Sequence, residues 1–313
     1  MTVTARTDPA SGSAATPPPT VPRRRWHGPS FEIRMMLPAL VPLAVISLIP
    51  FGYIIWMSLS KVTVVGGIKL TFIGGDNWSK MVHDSHVIAS WRISVVYFVA
   101  TLALEMLLGV GIAIVLNELV FARNVVLAVL LMPMFVAPVI VGLLGRFLTD
   151  STFGLYSWAL QHLGVDSNIL GHKGPALLTV ILLDVWEWTP LVMLITLAGL
   201  AAVPKALLEA ASLDGAGYFA RLRFVVLPSI SGVVLVALLI RAMDAIRFFD
   251  IIWITTNGGP ADATKVIPLR LYETAFRFFD LGYAAAIGLG MLLFSIVVAN
   301  IFVGVLAKRG ATR

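Results

Sequence analysis

Asp184, Trp186, Glu187 and Trp188 sit with Pro190 in an apolar stretch that runs from about 176 to 200. In a helix, Asp184 and Glu187 are three apart and share a face, and Pro190 frees a carbonyl one turn earlier and can bend the helix there. Carboxylates accept paired hydrogen bonds from hydroxyls, and a tryptophan ring offers a flat apolar surface to the C–H side of a sugar ring, so this combination suits a sugar site. Trp186 and Trp188 point about 200° apart around a helix, so at most one of them lines a cavity. Packing against lipid or a neighbouring helix is the commoner fate of a tryptophan in such a stretch. Arg241, Asp244, Arg247 and Asp250 recur at strict three-residue spacing, which allows alternating ion pairs and lowers the cost of placing charge among apolar residues. Each step of three turns about 300°, so the series spirals and its members cannot all face one pocket. Two readings stand: a self-neutralising ladder that braces a wall, or residues along a solute's path, with Arg241 and Asp244 nearest the middle and Asp250 and Asn257 toward the outer end. Glu105, between Leu104 and Met106, reads as a protonated or hydrogen-bonded carboxyl that fixes helix packing, the commoner case, or as a contact to the substrate.

Membrane-spanning helices have to position these groups. Of 313 residues, 58% are hydrophobic and 13% charged, with a mean hydropathy of +0.92. A soluble domain carries roughly a quarter charged residues, so a water-soluble enzyme is excluded. A bilayer core about 30 Å thick takes roughly 20 apolar residues per helix. Segments at about 35–59, 93–117, 124–148, 176–200, 230–254 and 283–307 meet that length. The expected fold class is an all-α integral membrane protein of six transmembrane helices. Arg23, Arg24 and Arg25 flank the first span and Lys308 and Arg309 close the last, so the positive-inside rule places both termini in the cytoplasm. Residues 1–34 are expected as a disordered basic cytoplasmic tail, 35–308 as the six-span domain and 309–313 as a second cytoplasmic tail. The first apolar stretch exceeds a signal-peptide core and reads as a retained span. Ala284, Ala286, Gly288 and Gly290 in the last span suit close helix packing, within the chain or against a partner. The chain has no cysteine, which excludes thiol chemistry and zinc ribbons, and its histidines show no metal-ligand spacing. No metal is expected.

One loop, about 201–229, is long and rich in helix formers. Pro204 suits a first helical turn, Lys205 to Leu213 favour helix, and Gly215 can take the positive φ at which a helix ends. The result is a short helix, a sharp turn and a second segment. An Ala-rich helix surface beside a glycine is a docking element for another protein or, alternatively, an amphipathic helix lying on the membrane surface.

Glu209-Ala210-Ala211, then Gly215 after three residues, then Val225, Leu227 and Pro228, resemble the loop motif of inner-membrane permease subunits of binding-protein-dependent ABC importers, with Val225 standing where the motif has Ile. Phe249-Asp250, Thr256-Asn257-Gly258-Gly259-Pro260, Thr264 and Gly282-Tyr283-Ala284-Ala285 are similar to the series in the carbohydrate branch of that family, which serves maltose, trehalose and polyols. The resemblance covers the chain from Met35 onward. It implies that the loop is the coupling helix, between the fourth and fifth spans, which docks in a cleft of an ATP-binding subunit through Glu209, Ala210, Ala211, Asp214 and Gly215. It also implies a second homologous permease, two copies of the ATPase subunit, an external substrate-binding protein or lipoprotein, and a bacterial inner-membrane location with contacts to lipid and none to nucleic acid. No Gly-x-x-x-x-Gly-Lys-Ser/Thr phosphate loop occurs, so ATP and Mg belong to the partner ATPase and this chain is expected to hold no cofactor and to catalyse no reaction. The substrate-pathway candidates are Asp184, Trp186, Glu187, Trp188, Arg241, Asp244, Arg247, Asp250 and Asn257. The alternative is a secondary transporter driven by an ion gradient, with Glu105, Asp184 or Glu187 as proton carrier; the loop motif has no role in it. An integral-membrane enzyme is disfavoured, because no His, Ser or carboxylate constellation gathers with recognisable spacing.

Overall fold

The computed structural model describes residues 31–64, 66–119, 121–164 and 166–311. The expected N-terminal tail falls almost wholly outside the described residues, as do the last two residues of the chain. The chain divides into two units, Met1–Pro50 and Phe51–Arg313. The described part of the first unit is the leading stretch of α1 (Phe31–Ser58), apolar, with Pro38, Pro42 and Pro50 inside the helix and its residues exposed from Met35 to Pro50.

In the second unit the end of α1 leads into an antiparallel hairpin, β1 (Ser60–Thr63) and β2 (Lys69–Phe72), with Ser60 opposite Phe72. α2 (Asp76–His83) and α3 (Ser85–Glu118) follow, and Asp84 caps α3 by accepting from the His86 N–H at 2.8 Å. Next come α4 (Arg123–Leu131), α5 (Pro138–Leu148), α6 (Leu155–His162), α7 (Lys173–Ala201), α8 (Lys205–Leu213) and α9 (Tyr218–Arg221). The chain closes with α10 (Leu227–Ala245), α11 (Asp250–Thr255), α12 (Ile267–Phe276) and α13 (Leu281–Ala311). The architecture is all-α and multi-spanning, apart from the one short hairpin. Five stretches are long and apolar enough to cross a bilayer: Met35–Ser58, Ser85–Glu118, Lys173–Ala201, Tyr218–Ala245 and Leu281–Gly304.

Two expected spans differ from straight helices. The segment 124–148 consists of α4, a 3₁₀ turn at Met132–Phe135, and α5, with a bend of 94° between the two arms. Pro133 and Pro138 lack the N–H that an unbroken helix needs, and Pro138 holds Ala137 extended at ψ 138°. The segment 230–254 is also broken, because α10 ends at Ala245 and helix resumes only at Asp250. Arg241, Asp244, Arg247 and Asp250 therefore do not form one continuous ladder.

α3 and α7 run parallel as the central pair, and α10 packs antiparallel to both. Tyr97, Thr101, Glu105, Gly109 and Ala113, at four-residue steps on α3, are all buried. A Cβ at Gly109 would fall 2.7 Å from the Cβ of Val192, so only glycine permits this approach of α3 to α7. At one end Ala113, Leu116, Met193, Leu197, Leu200 and Ile230 pack together; toward the other, Tyr97, Val180, Val185, Phe248, Ile251 and Leu269 do so. Against lipid tails such contacts gain through close packing rather than exclusion of water. The small residues of α13 serve packing within this chain: Gly288 faces Leu271 of α12 and Gly290 faces Met81 of α2.

Candidate functional site

Arg241 of α10 reaches the centre of the α3–α7–α10 junction with a side chain only 1% exposed. Its Nε donates to Glu105 Oε2 at 2.8 Å and its Nη2 to Glu105 Oε1 at 2.7 Å, the bidentate fork that planar guanidinium and carboxylate favour. Nη2 also lies 3.4 Å from Asp184 Oδ2, and Nη1 donates to Asp244 Oδ2 at 2.6 Å. The Trp188 ring stacks beneath the guanidinium at 4.9 Å, a cation–π contact. The Tyr97 hydroxyl lies beside Asp184. One cation thus binds carboxylates from three helices, and the fork on the fully buried Glu105 is strong because little water competes for it.

Glu187 is 1% exposed, and both of its carboxylate oxygens are buried with no hydrogen-bond partner among the described residues. Trp188 Nε1, Thr189 Oγ1 and Thr196 Oγ1, also on α7, share that condition. Buried polar atoms are rarely left unpaired, and these four lie on different sides of α7, so Glu187 and Trp188 beside the Arg241 cluster are the ones able to accept and donate further hydrogen bonds there. Pro190 sits within α7 three residues from Glu187.

The other candidates disperse. Trp186 is 48% exposed and lines an apolar cavity of about 500 Å³ with Val141, Leu144, Tyr156 and Leu182, so the two tryptophans do face apart. Asp244 has a 39% exposed side chain and forms the open edge of the cluster; Arg247 Nη2 approaches its Oδ1 at 4.0 Å but is itself 75% exposed. Asp250 stands at the start of α11, and Asn257 is exposed at φ +51° in the loop that follows. The expected i,i+3 pairing holds for Arg241 with Asp244 alone at short distance. Spacing within one helix could not reveal the partnership of Arg241 with Glu105, 136 residues away in sequence. The four-residue recurrence of Tyr97, Thr101 and Glu105 was the signal that α3 carries a polar face.

The loop after α7 folds as its residues predict. α8 spans Lys205–Leu213, and Gly215 takes φ +77°. The Ala216 N–H donates to Ala211 O and the Gly215 N–H to Ser212 O, the paired bonds of a Schellman turn. α9 and a π-helical turn at Leu222–Val226 then lead without interruption into α10. Glu209, Ala210, Asp214 and Gly215 are exposed and Ala211 is half-buried.

At the far end of α10 the loop 256–266 is cross-braced. The hydroxyls of Thr256 and Thr264 lie 2.6 Å apart, and Thr264 donates to Gly259 O at 2.8 Å. Asp262 pairs with Lys265 at 2.6 Å and Arg270 at 2.7 Å, while Glu273 pairs with Lys265 at 3.0 Å and Arg277 at 3.1 Å. Gly282 abuts the hairpin so closely that a Cβ would lie 2.2 Å from Ser60 O, and Tyr283 donates to Asp84 at 2.9 Å.

Among the described residues no group of three or more His, Asp or Glu side chains is arranged to hold a metal ion. Residues 105–310 match the family model described as binding-protein-dependent transport system inner membrane component. The chain is 35% identical over 85% of its length to the trehalose/maltose transport system permease protein MalF of Thermococcus litoralis, covering 89% of that protein. It is 31% identical over 80% of its length to the sn-glycerol-3-phosphate transport system permease protein UgpA of Yersinia pestis, covering 85% of it. A chain of a bacterial ABC transporter involved in import of the acidic polysaccharide alginate shares the fold, with a TM-score of 0.78 at 19% identity over 88% of this chain and 95% of that one. With apolar helices of spanning length around a buried ionic centre, and a match over most of its length, this chain belongs to the family of inner-membrane components of binding-protein-dependent transport systems, and is a multi-pass transport subunit rather than an enzyme.

Proposed function

We propose that this chain forms half of the translocation path of an ABC importer for a sugar, a di- or oligosaccharide of the trehalose or maltose type or a polyol, and couples that path to ATP hydrolysis by a partner subunit. The observation that carries the reading is the continuity of α9, the π turn and α10 up to Arg241, with α8, which bears Glu209, Ala210 and Ala211, joined to the start of that run by the short turn at 214–217 that holds Asp214 and Gly215. Arg221 Nη1 donates to Ser212 Oγ at 2.9 Å across that turn, so a displacement of α8 is passed to the run that ends at the three-helix junction. Leu207, Leu213, Phe219 and Phe224 are exposed on this loop, an apolar surface suited to a protein partner. The similarity to a trehalose/maltose permease supports the substrate class.

In this reading six spans cross the membrane, the bent α4–α5 pair counting as one, with both termini and α8 on the cytoplasmic side. A second permease completes the path, two ATPase subunits carry ATP and Mg, and an external binding protein delivers the sugar. Glu187 and Trp188 face the sugar, while Arg241 holds the wall together and Asp244 marks its open edge. Asp250 and Asn257 stand nearer the outer mouth.

The test is uptake of radiolabelled trehalose and maltose by the complete transporter in proteoliposomes containing the binding protein. Uptake that requires ATP at the α8 face and survives an uncoupler supports the proposal. Uptake without ATP that collapses with the ion gradient overturns it.

A further inference from the structure

The ends of three spans meet beside α8 around a cavity of about 250 Å³. Ile114, Leu200, Val203 and Val226 give it apolar walls. Its polar groups are Asn117 and Glu118 at the end of α3, with Tyr218 and Arg221 at the start of the run that becomes α10. A cavity at the ends of membrane spans stands at the level of lipid headgroups, where a ligand is apolar at one end and charged at the other.

The charges lining it are not paired with each other. Among the described residues Arg221 and Glu118 form no ion pair. Arg221 donates from Nη1 to Ser212 Oγ at 2.9 Å, but its Nε is buried with no hydrogen-bond partner. A guanidinium with a desolvated, unused N–H calls for an anionic acceptor, and phosphate is the one its fork fits best. Glu118, exposed on the same rim, offers carboxylate acceptors to a donor that carries positive charge. A phosphate with an ammonium group a short link away answers both.

We infer that this cavity binds a zwitterionic phospholipid headgroup of the phosphoethanolamine type, with the phosphate on Arg221 and the ammonium on Glu118 and Asn117. Three hydrogens on the ammonium nitrogen matter, because a quaternary ammonium donates no hydrogen bond and a glycerol headgroup supplies no cation. Arg221 also ties α9 to Ser212 of α8, so the lipid sits against the joint between the loop and α10 and props it.

The test uses the full chain with its copurifying subunits, delipidated in detergent and titrated with phosphatidylethanolamine, phosphatidylcholine or phosphatidylglycerol under native mass spectrometry. One phosphatidylethanolamine is expected to be retained about tenfold more tightly than either other lipid, as loss of one charge-assisted hydrogen bond implies. Glu118→Gln should abolish the preference over phosphatidylcholine and phosphatidylglycerol, and Arg221→Gln should weaken retention of all three. Free phosphoethanolamine should compete only at far higher concentration; equal competition would mean a soluble ligand and overturn the lipid assignment. Equal retention of the three lipids, or a Glu118→Gln variant with unchanged preference, would also overturn it.

Discussion

Two ionic networks in this chain use the same residue types and differ in what surrounds them. The inner one, Arg241 with Glu105, Asp184 and Asp244, joins three spanning helices, and its first three side chains are 1% exposed or less. The outer one, Asp262 with Lys265 and Arg270, and Glu273 with Lys265 and Arg277, joins a loop to the helix that follows it; Asp262 and Arg277 are 39% and 47% exposed, while Lys265, Arg270 and Glu273 are largely buried. Burial decides the consequence of losing a partner. In the inner network Glu105 and Asp184 stripped of Arg241 have no water to turn to, whereas in the outer one solvent reaches Asp262 and the buried Glu273 holds two cations, so the loss of one leaves another.

The largest expected effect is therefore at Arg241. Arg241→Met should destabilise the chain by about 3–5 kcal/mol, read as a drop in the detergent melting temperature and in membrane yield. Arg241→Lys should rescue little, since a lysine cannot reproduce the fork on Glu105. A melting temperature unchanged in Arg241→Met would dissolve the contrast between the networks. Glu105→Gln keeps the shape and removes one charge while Asp184 and Asp244 still hold the guanidinium, so the loss should be smaller, about 1–3 kcal/mol in the same melt.

In the outer network partial burial acts to raise the carboxyl pKa of Asp262, but hydrogen bonds from Lys265 and Arg270 and their positive charge outweigh it and hold the group below the ordinary carboxylate range. A depressed folded-state value stabilises the fold above the unfolded value of about 4, and that contribution is lost as pH falls through the folded value. Acid titration of the Trp253 emission, which reports on the neighbouring Tyr272 at 5.5 Å, should show the loop loosening only below about pH 4. Asp262→Asn should remove that acid-dependent step; its persistence would point to another carboxylate. The smallest effect belongs to Arg277→Ala, which should shift stability by no more than about 0.5 kcal/mol in the same melt, because Arg277 is half exposed and Glu273 keeps Lys265 at 3.0 Å.

What was legible in the sequence follows the range of the forces involved. α8 and its turn were readable to the residue because Pro204, the run Lys205–Leu213 and Gly215 act locally. Pro133 and Pro138 also announced the bend between α4 and α5, but the apolar composition of 124–148 masked it. The break after Ala245 has no proline or glycine to mark it, and it separates Asp250 from the ladder that three-residue spacing suggested. The Arg241–Glu105 fork is a long-range choice of partners, made only when α10 packs against α3, and nothing near either residue specifies it.

The most direct test of the central claim, that the α8 loop drives the spans through α10, is Gly215→Asp in the complete transporter. Gly215 holds φ +77° at the Schellman turn, where a side chain is strained and a new charge would sit on the docking face. The account predicts a chain that inserts and copurifies with its second permease while ATP-dependent sugar uptake falls to background. Uptake at the unaltered rate, with ATP hydrolysis still linked to it, would contradict the account.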